Sequence, residues 1–87
     1  MSRAAAQRKT QPLTKITCRP GVMGFQVFFL PGYDFDGLLA EFKAAIPKTT
    51  RGYVRNHWHV AKRAARKLSA YLDAVADRAN VIREVER

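Results

Sequence analysis

Two hydrophobic periodicities alternate along the chain, and the points where one gives way to the other mark its elements. KITCR, beginning at Lys15, leads to the turn signal Pro20-Gly21. GFQVFFL follows, a β-branched and aromatic run bounded by Gly24 and the pair Pro31-Gly32. Such runs between Gly and Pro signals predict a β-hairpin. In DFDGLLAEFKAAI the period lengthens: Phe35, Leu38, Leu39, Phe42 and Ile46 recur at helical spacing, Asp34 or Asp36 can serve as N-cap, and Pro47 stops the run. A helix of about three turns is expected. RGYV and HWHV then return to strand-like composition around Arg55-Asn56, where Asn tolerates the positive φ of a tight turn. A second, shorter hairpin follows from that spacing.

From about residue 61 to residue 85 there is no Pro or Gly, and Ala, Leu, Lys and Arg dominate. Propensity and length together predict one long C-terminal helix. Leu68, Leu72, Val75, Ala79 and Ile82 step by three and four, a heptad-like stripe suited to a partner groove or a homodimer. A helix of about 24 residues would run about 36 Å, more than a small sheet can cover. The expected fold class is therefore α+β: a single small domain over residues 15–87 built as β-hairpin, helix, short β-hairpin and long helix. Residues 1–14, with Arg3, Arg8 and Lys9 unopposed by acid, read as a flexible basic N-terminal arm.

Composition sharpens the functional side. The 87 residues carry a formal net charge of +9, which draws polyanions of any kind. A single cysteine, Cys18, cannot form an internal disulfide or a CxxC zinc site. No run approaches the roughly 18 apolar residues of a membrane span, so no membrane association is expected and a cytoplasmic location is the default.

The charge is concentrated. Lys48 to Lys67, KTTRGYVRNHWHVAKRAARK, holds seven Lys or Arg residues and no acid, with Tyr53, His57, Trp58 and His59 between them. Cations interleaved with flat aromatic surface can hold a phosphate backbone and stack on exposed bases. Lys48, Arg51 and Arg55, with Tyr53 and His57, belong to the hairpin; Lys62, Arg63, Arg66 and Lys67 belong to the first turns of the last helix. Cations there oppose the helix macrodipole, a penalty that a bound anion would reverse. Trp58, among strand formers, is expected mostly to pack. The two histidines at i and i+2 lack further ligands nearby in sequence, so no metal is expected; they add titratable charge. Asp34 and Asp36 read as capping rather than as a nuclease site, and Cys18 as a small buried hydrophobe. No phosphate-loop, dinucleotide, metalloprotease or nucleophile-elbow motif occurs, so neither catalysis nor a cofactor is expected.

The order Phe42, Ile46-Pro47, Arg51, Tyr53, Trp58 and Val60, followed by a helix with Leu68, resembles the HARP module of annealing helicases and its small bacterial and phage relatives. The resemblance spans roughly residues 24–72. It implies two hairpin-plus-helix units that bind DNA junctions or single strands through shape and backbone, in a bacterial or phage-infected cell, without ATPase activity. The leading expectation is a non-catalytic nucleic-acid-binding protein, with DNA favoured over RNA as partner. The alternative is a small basic phage-type inhibitor, anti-CRISPR-like, in which the same charges meet an acidic groove on a nucleic-acid-processing protein.

Overall fold

The computed structural model describes residues 12–84. The first hairpin forms where expected, from β1 (Lys15–Pro20) and β2 (Gly24–Leu30), with Cys18 opposite Val27. Helix α1 spans Phe35–Ala45 and ends before Pro47. The second hairpin pairs β3 (Arg51–Val54) with β4 (His57–Ala61) around the two-residue turn Arg55-Asn56. Arg55, not Asn56, takes the left-handed conformation, with φ 58°. Asp34 occupies the N-cap of α1 as expected, yet its side chain makes no capping hydrogen bond; it sits at φ 61°, with its carboxylate 3.9 Å from Arg78.

The long C-terminal helix is corrected. A short 3-10 turn at Lys62–Ala64 leads into α2, which spans Ala65–Val75, and a final strand β5 occupies Asn80–Arg83. The helix stops because its continuation has better partners elsewhere. β5 pairs in parallel with the free edge of β1, Ile16 opposite Val81, and the Asn80 amide donates to Thr14 O at 2.9 Å. Arg78, in the intervening turn, is held by Glu41 of α1 through two contacts of 2.7 Å. β-Branched Val81 and Ile82 gain a ladder that the helical continuation would have denied them.

The result is a five-stranded sheet in the order β3-β4-β2-β1-β5, antiparallel except for the β1–β5 pair. β2 and β4, from different hairpins, join at Gly24, where a Cβ would lie 2.2 Å from Val60 O; only glycine permits that approach. Because side chains alternate along each strand, the register puts Ile16, Cys18, Val27, Val60 and Val81 on one face. α1 and α2 cover that face with Leu38, Phe42, Leu68, Tyr71, Leu72 and Val75. Phe42 is the hub, with ring centroids of Phe29, Trp58 and Tyr71 at 5.4, 5.4 and 5.6 Å. Tyr71 donates its hydroxyl to Leu38 O at 2.7 Å, which locks the two helices together.

The stripe expected to face a partner is corrected with the helix. Leu68, Leu72, Val75 and Ala79 are buried in the protein's own core, and Ile82 belongs to β5. The basic arm, expected at 1–14, lies outside the described residues as far as residue 11. Leu13 and Thr14 are fastened: Leu13 bridges to Tyr33, and buried Thr14 bonds both Tyr33 O and the Gly32 amide at 3.0 Å. No helix among the described residues is long and apolar enough to cross a membrane.

Candidate nucleic-acid interface

The basic stretch folds so that its two halves meet at one end of the molecule. β3 starts opposite the end of β4, with Arg51 paired to Val60, so the 3-10 turn at Lys48–Thr50 lies beside the one at Lys62–Ala64. Arg63 closes this junction by donating to Thr49 O at 3.2 Å. Lys48, Lys62, Arg63, Arg66 and Lys67 are exposed there. α2 begins with Ala64 as N-cap, without a side-chain cap and without an acid in its first turn. The Ala65 amide is taken up by Lys62 O in the 3-10 turn, so the positive end of the helix meets the surrounding cations with no acid beside it.

Arg51 has a second assignment that sequence reasoning did not supply. Its Nε donates to Ile46 O at 2.9 Å and its Nη2 to Lys43 O at 3.3 Å, so the guanidinium caps the C-terminus of α1. It also lies over the Trp58 ring, 5.7 Å from the centroid, and Lys43 Nζ lies over the same ring at 5.6 Å. Trp58 is half-buried: one part packs on Phe42, the rest carries these two cations. Lys43 therefore joins the basic end although it precedes the stretch in sequence.

Arg55 is not brought to this end. It sits at the far tip of the β3–β4 hairpin, next to an open concavity of about 590 Å³. Half-buried Phe29, Phe35, Leu39 and Trp58 line the floor of that concavity, and Tyr53, Asn56 and Pro31 stand at its exposed rim. Tyr53 remains 61% exposed, edge-on to Trp58 at 5.2 Å. Asn56 Oδ1 lies 3.2 Å from His57 Nδ1.

The sheet face away from the helices was also missed. There Phe28 lies 5.0 Å from His57, with the Arg19 guanidinium over its ring at 5.2 Å. The clue was present in GFQVFFL: if Val27 and Phe29 point inward, period-2 alternation sends Phe28 outward. His57 and His59 share this face, as their i, i+2 spacing required.

Outside the stretch, three arginines hold carboxylates. Arg19 holds Glu84 at 2.8 Å, Arg78 holds Glu41 at 2.7 Å, and Arg83 holds Asp73. These hydrogen bonds keep the Glu41 and Glu84 carboxyls below the usual carboxylate range. Burial pushes the Cys18 thiol up despite nearby Arg83, so it is a poor nucleophile. Among the described residues, no three His, Cys, Asp or Glu side chains gather in a way that could hold a metal ion. No protein-family model, curated protein or solved structure matches the chain.

Proposed function

We propose that this protein binds nucleic acid without catalysing a reaction, holding the phosphate backbone of single-stranded or forked DNA against the basic end. One observation carries the reading. None of the seven cations between Lys48 and Lys67 takes part in an ion pair among the described residues, whereas Arg19, Arg78 and Arg83 outside the stretch each hold a carboxylate. Of the seven, Lys48, Lys62, Arg63, Arg66 and Lys67 crowd one end beside a helix start that carries no acid, which costs stability through self-repulsion, and a polyanion relieves that cost. The resemblance to HARP-type modules favours junctions and single strands over intact duplex.

A salt titration tests the reading. Single-stranded DNA, forked DNA and RNA are titrated in parallel with the wild type and with a Lys62→Gln, Arg66→Gln, Lys67→Gln triple variant, which leaves the Arg63–Thr49 contact intact. Each cation that displaces a counterion from a single strand contributes about 0.7 to the slope of log K against log salt, so the variant should bind more weakly with a slope shallower by about 2. An unchanged slope refutes the proposed surface. Absence of binding to all three near physiological salt refutes the function.

A further inference from the structure

We infer that the aromatic concavity beside the β3–β4 hairpin receives an unstacked nucleobase of the bound single strand. This inference rests on the nucleic-acid reading above and adds a base site to a backbone site. Three features of the concavity point to that occupant. Its lining is largely apolar: Phe29, Phe35 and Trp58 supply rings, and Tyr53 stands at the mouth with 61% of its surface free. Every base offers a π-face of matching shape, so such a site takes bases without needing a particular sequence.

Second, the polar groups are few and stand at the rim. Asn56, beside His57 at 3.2 Å, presents an amide that can donate and accept toward a base edge. Apolar walls with a few convergent polar groups are the usual composition of a small-ligand site. Third, the charge around it suits the rest of a nucleotide. Trp58 belongs both to the concavity and to the basic end, where Lys43 and Arg51 lie over its ring at 5.6 and 5.7 Å, and Arg55 stands at the hairpin tip beyond Asn56. A strand whose phosphates follow these cations passes the mouth of the concavity with cations on both sides. A neutral apolar ligand would have no use for them.

The test compares strands of equal length and charge with and without bases. Oligothymidine, oligouridine and an abasic deoxyribose-phosphate strand are titrated against the wild type and Tyr53→Ala, reading fluorescence anisotropy of the labelled strand and emission of Trp58, the protein's single tryptophan. Loss of one stacked base is expected to weaken the abasic strand about tenfold, and only base-bearing strands should quench Trp58. Tyr53→Ala should shrink the difference between base-bearing and abasic strands while leaving the salt slope and circular dichroism unchanged. Equal binding and equal quenching by base-bearing and abasic strands overturn the base site and leave the backbone site standing. If no strand binds, both fall together.

Discussion

Replacing Leu72 with alanine separates a core residue from a partner-facing one. Leu72 is 2% exposed and belongs to the cluster that joins α2 to the sheet. The substitution deletes three carbons, each worth about 0.8 kcal/mol of transfer free energy, and the residual cavity adds to that. The expected loss is about 3 kcal/mol. A domain of this length has a total stability of roughly 4–13 kcal/mol, so a quarter or more of it is removed, with a fall in Tm of roughly 12–24 °C. Urea denaturation followed by circular dichroism and by Trp58 emission, repeated over a hundredfold range of protein concentration, measures it. An intramolecular core gives a midpoint shift that is the same at every concentration. Were Leu72 part of an exposed association seam, the wild-type midpoint would rise with concentration and the variant's would not. That result, or a shift worth less than about 1 kcal/mol, refutes the placement of the helix.

Other substitutions probe individual contacts. Tyr71→Phe removes the buried hydrogen bond to Leu38 O and should cost about 1 kcal/mol in denaturant, with the salt slope of binding unchanged. Arg55→Gly should stabilise the fold by about 0.5 kcal/mol, because glycine accepts φ 58° without steric penalty, and should weaken oligonucleotide binding; a destabilised variant would refute the strained-turn argument. Glu41 is held below its unfolded pKa by Arg78, so its contribution is present above about pH 4.3 and is lost as pH falls through the folded value. The stability gap between wild type and Glu41→Gln should accordingly narrow between pH 6 and pH 3; a constant gap would show that the ion pair contributes nothing through Glu41 ionisation.

Both hairpins and α1 were legible because their signals are local. Pro20-Gly21, Pro31-Gly32 and Pro47 punctuate the chain, and the period between them changes from two to helical spacing. The end of α2 was not legible because what ends it is distant. Ala76 to Ala79 are acceptable helix residues, and the competing partners, the free edge of β1 and the Glu41 carboxylate, come from the first half of the chain. The stripe from Leu68 to Ala79 did mark the buried face correctly. It could not say that the surface covering it was this protein's own sheet, because a shortened helix needs no second copy.

The basic stretch was legible as a concentration of charge, but not in its division of labour. Arg51 and Arg63 donate to backbone carbonyls of Lys43, Ile46 and Thr49, so both are anchored and part of their charge satisfies the scaffold. Lys48, Lys62, Arg66 and Lys67 are exposed at the same end without such contacts among the described residues. An anchored guanidinium loses little freedom when a phosphate arrives, while a free lysine loses much. On the proposed reading, the two arginines fix where a bound backbone sits, and the free cations set how strongly salt weakens its binding. Trp58 ties this arrangement to the core: Phe42 supports its ring from within, and Lys43 and Arg51 lie over it at the basic end. A tryptophan that packs and a tryptophan that carries surface cations are thus the same residue here, which is why its neighbours in sequence could not decide between the two roles.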